Sequence, residues 1–202
     1  FIIHIAGFTA VYTAYLAWKS KDLKERLSYS TVGQLMYIIV GILLGTPLTI
    51  MASCLHILTH SLAKTGLFFV AGYFDSFFHT TKTKEVAELA PKNIFLVIVV
   101  AVCGLSITGI PFLAGSYSKD ILLIEAFKGE RYMSMLYLVV GSFINFLYIY
   151  PIMKAAFRKG VKREMGFAEI PFSMKVVFIL IPVLIIAFSF VVGTISDLMS
   201  QN

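Results

Sequence analysis

Three titratable side chains recur at four-residue intervals in the stretch CLHILTHSLAKTGLFFVAG, Cys54 to Gly72: His56, His60 and Lys64. At 100° per residue they share an arc of about 80° and form a ladder about 12 Å long on one helix face. Thr59 sits beside them. Such a row suits proton relay, since histidine titrates near neutrality and passes a proton between its two ring nitrogens. Lysine adds a cation whose hold on its proton is tuned by its surroundings. An ionised lysine at the centre of a bilayer costs about 2.5–3.5 kcal/mol on insertion scales, so this face must look toward partners or water. Singly, each residue reads more simply as a snorkelling lysine or a hydrogen-bonded histidine. Three on one stripe, with Lys64 near mid-segment, favour a proton path. Spacing ranks His60, one turn from Lys64, above His56.

Other polar groups interrupt the apolar runs. In GIPFLAGSYSKDILLIEAF, Pro111 removes a backbone donor and Gly109 and Gly115 loosen the chain, so a helix break is expected between Ile110 and Ser118. Lys119 then stands near the start of a half-helix, with Asp120 in its first turn. Two readings stay open for this pair: a group lining a cavity at the break, or an interfacial charge pair capping a short helix. Glu125 follows in the same piece. Asn145 reads first as helix–helix glue. Lys24 precedes Ser30 and Gln34 by one and a half to three turns and reads first as a basic loop charge before a polar helix start.

The elements that must position these groups are membrane helices. The 202 residues are 58% hydrophobic and 14% charged, with mean hydropathy +0.86, against about a quarter charged in soluble domains. The apolar residues fall in runs of spanning length: Phe1–Trp18, Ser28–Gly45, Leu48–Tyr73, Ile94–Ile110, Tyr132–Ala155 and Phe172–Ile195. The fold class is therefore all-α, a polytopic bundle of six membrane helices, one broken in mid-membrane. The connection DSFFHTTKTKEVAELAPKN has room for a short surface helix. The pI of 9.3 reflects loop lysines and arginines and not nucleic-acid binding. If the broken segment crosses once, Lys19, Lys21, Lys24, Arg26, Lys82, Lys84, Lys92, Lys154, Arg158, Lys159, Lys162, Arg163 and Lys175 share one side, leaving Lys128 and Arg131 opposite. A second crossing would split them nearly evenly, so the positive-inside rule selects the single crossing, with both ends outside and the basic loops cytoplasmic, or on the matrix side in a mitochondrion. Cys54 and Cys103 lie inside apolar runs and read as small core residues. Phe1 opens on an apolar run without a basic n-region, so no signal peptide is read, and a chain beginning inside a membrane segment is expected to be a fragment or a split half. No metal-ligand spacing, nucleophile elbow or phosphate-binding glycine loop is present, and no cofactor is expected.

Three stretches, DLKERLSYSTVGQLMY, HILTHSLAKTGLFFVAG and GIPFLAGSYSKDILL, resemble in order and separation the antiporter-like membrane subunits of respiratory complex I and the Mrp-type cation/proton antiporters. Ser118-Lys119-Asp120 is closest to the lineage of the largest complex I antiporter-like subunit, NADH dehydrogenase subunit 5. The resemblance implies that residues 1–155 are the second of two inverted five-helix repeats, and that 156–202 are a basic loop and the sixth transmembrane helix. It further implies that Lys119 is the lysine of the broken helix, that Lys64, His60 and His56 lie on a mid-membrane polar axis, and that Lys24 is the lysine of the first motif. Ser116 stands where the family usually has an aromatic. The first repeat, with its membrane glutamate–lysine pair, lies outside this sequence, as does a long lateral helix.

The expected function is proton translocation within an NADH:quinone oxidoreductase, as a non-redox subunit with no catalytic chemistry of its own. Its proton path is Lys64, His60, His56, Lys119, Asp120 and Lys24, supported by Thr59, Ser30, Gln34, Asn145 and Glu125. The alternatives are a component of a multisubunit sodium/proton antiporter or membrane-bound hydrogenase, and a scaffold that only supports assembly. The expected partners are other membrane subunits, including one carrying the first repeat, and the lipid of a bacterial inner or mitochondrial inner membrane.

Overall fold

Local sequence signals set the helix ends in the computed structural model, which describes residues 1–89, 94–156 and 170–200. The helices are α1 (Ile2–Lys19), α2 (Leu23–Leu44), α3 (Pro47–Phe78), α4 (Thr83–Leu89), α5 (Ile94–Thr108), α6 (Ala114–Lys128), α7 (Tyr132–Ala156) and α8 (Phe172–Ser200). Among the described residues the only extended pairing is one isolated bridge, Asp22 to Lys82. The expected short helix in the 75–93 connection is α4. The basic-loop residues Lys92, Arg158, Lys159, Lys162 and Arg163 lie outside the described residues.

α2 starts five residues before the expected Ser28, because Asp22 caps it, accepting the Glu25 N–H at 3.0 Å. Lys24 and Arg26 are thus helical. Thr46 and Pro47 start α3 with a capping box: Thr46 Oγ1 accepts from Thr49 N, and Thr46 N donates to Thr49 Oγ1. At 32 residues α3 is about 48 Å long, well beyond the roughly 30 Å hydrocarbon core. It runs past the expected Tyr73 and carries Asp75 on its last turns.

The broken segment is real but shorter than expected. The chain leaves the helix at Gly109 (φ 81°), passes Pro111 and Phe112 (φ 76°), and resumes at Ala114. Lys119 and Asp120 consequently lie in the second turn of α6, not at its start. The first N–H groups of α6 have no side-chain cap from their own segment; Ala114 N donates to Ser189 Oγ of α8 at 2.7 Å instead. Gly115 is required by a close approach: a Cβ there would collide with the Ser106 carbonyl of α5.

α3 is the central helix, packed by α2, α5, α6 and α8. One core joins α3, α5, α7 and α8 through Phe74, Val99, Tyr148 and Phe178, and a second joins α1, α2, α6 and α7 through Ala10, Val40, Leu122 and Leu138. The outward faces are apolar, with Ile42, Leu58, Phe143, Val183 and Phe190 all exposed. Cys103 is buried, but Cys54 faces outward on α3, against the expectation of two core cysteines; small and apolar, it is tolerated on either face. α2, α3, α7 and α8 are each long and apolar enough to cross a membrane, and α5 is a shorter apolar helix. The Asp22–Lys82 bridge gathers the α1–α2 and α3–α4 connections at one end of the bundle. Thr46 Oγ1 meets Glu125 Oε2 at 3.0 Å at the other, so α5 and α6 together run from one end to the other.

Candidate proton-transfer site

The inward face of α3 is polar along its middle. His56, Thr59, His60 and Lys64 are all buried, at 2%, 3%, 7% and 5% exposure. Their four-residue recurrence keeps them on the side that meets α2 and α6. Lys64 Nζ donates to the Leu27 carbonyl at 2.9 Å and to Ser30 Oγ. Ser30 and Thr31 also direct their hydroxyls at the Leu27 carbonyl. No carboxylate pairs with Lys64 among the described residues; its partners are dipoles, which hold a charge in place without neutralising it.

One turn along, the His56 and His60 rings stack nearly parallel, 6.1 Å between centroids. His60 Nε2 has no hydrogen-bond partner among the described residues. His60 and Lys64 line a cleft of about 740 Å³ with Ser61, Thr65 and Thr31. Thr59 donates to the His56 carbonyl at 3.2 Å and serves the helix backbone.

His56 is the junction of three helices. Its Nε2 faces Gln34 Oε1 at 3.0 Å and its Nδ1 faces Ser118 Oγ at 2.9 Å. With Gln34 accepting, Nε2 carries a proton and Nδ1 can accept from Ser118. The Ser118 hydroxyl has a second acceptor, the Gly115 carbonyl at 3.3 Å. When it turns there, Nδ1 can be protonated too. A single hydroxyl rotor therefore accommodates both charge states of the ring, which is what a relay site needs.

Tyr37 stacks on the other side of His56, 6.0 Å between centroids, and donates its hydroxyl to the Leu138 carbonyl at 2.8 Å. Lys119 Nζ lies 5.4 Å from the Tyr37 ring centroid, a cation–π distance. It donates to the Ile107 carbonyl at 2.6 Å. In an unbroken helix that carbonyl would accept from residue 111, which is proline and has no N–H. The break thus supplies the oxygen that holds Lys119, at the negative end of the α5 dipole.

The remaining expected residues divide. Ser30 and Gln34 belong to the cluster, bonded to Lys64 and His56. Asp120 is exposed and forms no ion pair with Lys119 among the described residues, because neighbouring residues on a helix point about 100° apart. Lys24 is about half exposed and pairs with Asp75 at 2.6 Å, joining α2 to the end of α3. Glu125 is held at the opposite end by Thr46 and Lys128. Asn145 is buried on α7, its Nδ2 without a partner among the described residues. Reading the sequence missed Tyr37, Ser118 and the buried Arg26. The first two lie inside the stretches singled out above, but tyrosine and serine in apolar runs carry no signal until three helices bring them together.

Known proteins share this fold. A family model described as NADH:quinone oxidoreductase/Mrp antiporter, TM, matches residues 1–145. The chain is 28% identical over 167 residues to NADH-quinone oxidoreductase subunit N of Desulforudis audaxviator, covering 83% of this chain and 33% of that one. It is 34% identical over 131 residues to a component of the probable K(+)/H(+) antiporter of Rhizobium meliloti, covering 63% and 13%. In structure it matches a chain of the archaeal membrane-bound sulfane sulfur reductase with TM-score 0.85 at 22% identity, covering 98% of this chain and 40% of that one. It also matches a chain of the Mrp complex from Dietzia sp. with TM-score 0.80 at 16% identity, covering 96% and 44%. The chain spans about a third or less of the length of these curated relatives. Its matched residues and its broken-helix bundle together make it a member of the NADH:quinone oxidoreductase/Mrp antiporter transmembrane family.

Proposed function

We propose that this chain translocates protons within a membrane subunit of an NADH:quinone oxidoreductase, as a non-redox part of the complex. The observation that carries the reading is one buried polar file through an apolar bundle: Lys64, His60, His56 with Gln34 and Ser118, then Tyr37 and Lys119. Two lysines without carboxylate partners among the described residues stand at its ends. Each carries an insertion cost of about 2.5–3.5 kcal/mol, an expensive way to build a scaffold. Charge arriving at one end raises the cost of charge at the other through low-dielectric surroundings, so loading Lys64 favours proton release at Lys119, and the reverse. On this reading residues 1–155 form the second five-helix repeat and 156–202 the basic loop and following helix. α1, α2, α3, the α5–α6 pair, α7 and α8 make six crossings of a bacterial inner or mitochondrial inner membrane, basic loops on the cytoplasmic or matrix side. Another chain segment carries the first repeat. Ser118-Lys119-Asp120 favours the lineage of the largest complex I antiporter-like subunit.

The test is proton uptake by liposomes containing the assembled complex. Lys64→Ala removes the carrier, and Lys64→Arg keeps a charge that does not release its proton; both should depress uptake at least tenfold. Normal uptake by an assembled Lys64→Ala complex defeats the reading. A second reading, a cation/proton antiporter without a redox partner, is supported by relatives named as parts of K(+)/H(+) and Na(+)/H(+) antiporters. Co-purification decides between them: flavin and iron–sulfur subunits support the first, small membrane subunits alone the second.

A further inference from the structure

The α1–α2 and α3–α4 connections are fastened to each other beside a basic cavity. Leu23 N donates to the Thr81 carbonyl at 2.7 Å and Thr83 N to the Lys21 carbonyl at 2.8 Å, flanking the Asp22–Lys82 bridge. The cavity, about 650 Å³, is lined by Lys21, Arg26, Lys82 and Lys84 and by one carboxylate, Glu85. That carboxylate is engaged: one oxygen lies 3.4 Å from Lys82 Nζ and the other accepts from Thr80 Oγ1. Asp22 is engaged as well, by Glu25 N and the Thr81 hydroxyl.

Arg26 is 8% exposed, and its Nη1 and Nη2 reach only carbonyls, those of Tyr148 at 3.0 Å and Ser20 at 2.6 Å. No ion pair satisfies it among the described residues. Its Nε and the neighbouring Thr83 Oγ1 are sealed from solvent without hydrogen-bond partners among the described residues, and both residues line the cavity. The site is rich in donors and short of anionic acceptors. Trp18, 47% exposed, and the exposed Pro151 front its rim. Tryptophan concentrates at headgroup depth.

We propose that this cavity binds the phosphate of an anionic phospholipid, with the headgroup among Lys21, Arg26, Lys82 and Lys84 and the acyl chains beside Trp18. The Arg26 guanidinium keeps its charge and has N–H donors beyond the two that its carbonyl partners take, and the lysines add point charges. The bound lipid would supply the anion that Arg26 lacks and tie the two connections to the bilayer.

The test uses the full-length protein, delipidated in maltoside detergent and titrated separately with dioleoylphosphatidylglycerol, dioleoylphosphatidylcholine and inorganic phosphate, with bound lipid counted by native mass spectrometry. Arg26 is buried and its substitution threatens folding, so the variant is Lys21→Gln/Lys82→Gln/Lys84→Gln, whose sites are exposed; helicity is checked by circular dichroism. At about fivefold per lysine, the triple variant should bind one phosphatidylglycerol per chain about 100-fold more weakly than wild type. Phosphatidylcholine should not fill that site, and millimolar phosphate should not displace the lipid. Undiminished retention by the triple variant overturns the proposal, as does equal binding of phosphatidylcholine. Displacement by phosphate alone reassigns the cavity to a free anion and overturns the lipid.

Discussion

Lys119→Met separates the role of the charge from its role in packing. In the structure Lys119 Nζ makes a 2.6 Å bond to the Ile107 carbonyl and lies 5.4 Å from the Tyr37 ring centroid. A hydrogen bond from a charged group contributes about 1.5–3 kcal/mol, and a desolvated cation–π pair about 0.5–2 kcal/mol. Together these roughly match the cost of about 2.5–3.5 kcal/mol for holding the ammonium inside the membrane. Methionine has a similar length, escapes the desolvation cost and leaves only the Ile107 carbonyl unpaired, a penalty of about 1–3 kcal/mol. The variant should therefore assemble, with a thermal midpoint in detergent only a few degrees below wild type. Proton uptake should fall at least 100-fold, because the file then ends at Tyr37, whose proton is committed to the Leu138 carbonyl. Lys119→Arg should assemble equally well and fail equally, since the guanidinium keeps its proton. Two results would refute the reasoning: an assembled Lys119→Met complex with wild-type uptake, or one that fails to assemble.

Three further outcomes follow from the geometry. The spacing along α3 ranks His60 above His56, and the hydrogen bonds of the two rings argue for the opposite order. His60 Nε2 has no hydrogen-bond partner among the described residues, whereas His56 is bonded through both ring nitrogens to Gln34 and Ser118 and stacked on Tyr37; His56→Phe should slow uptake more than His60→Phe, and equal effects would contradict the relay geometry. Lys24→Ala breaks an ion pair that is about half exposed, worth about 0.2–1 kcal/mol, and should leave uptake within about twofold of wild type; a loss as deep as that of Lys64→Ala would place Lys24 on the path. Cysteine at Lys82 and at Glu130 should react with impermeant reagents from opposite membrane faces, and labelling from the same face would overturn the single crossing of α5 and α6.

The membrane class was legible in the sequence because a bilayer imposes a length and a polarity on every spanning segment, and both are one-dimensional properties. The α3 ladder was legible for a related reason: a helical face follows from a period, so His56, His60 and Lys64 could be placed together before any packing was known. Pro111 and Gly109 announced a break because their limits are local to the backbone. The extent of the break was not legible. Ala114 can start α6 because Ser189, 75 residues away, accepts its N–H. The oxygen that holds Lys119 is an Ile107 carbonyl, and a backbone atom leaves no trace in residue type. Tyr37 and Ser118 became neighbours of His56 only when α2, α3 and α6 converged. Arg26 looked like one more loop charge until the Asp22 cap drew it onto α2 and the end of α7 closed over it. Periodicity and composition fix which face of a helix is polar; which polar faces meet, and which backbone oxygens they find, is decided by packing between helices distant in sequence.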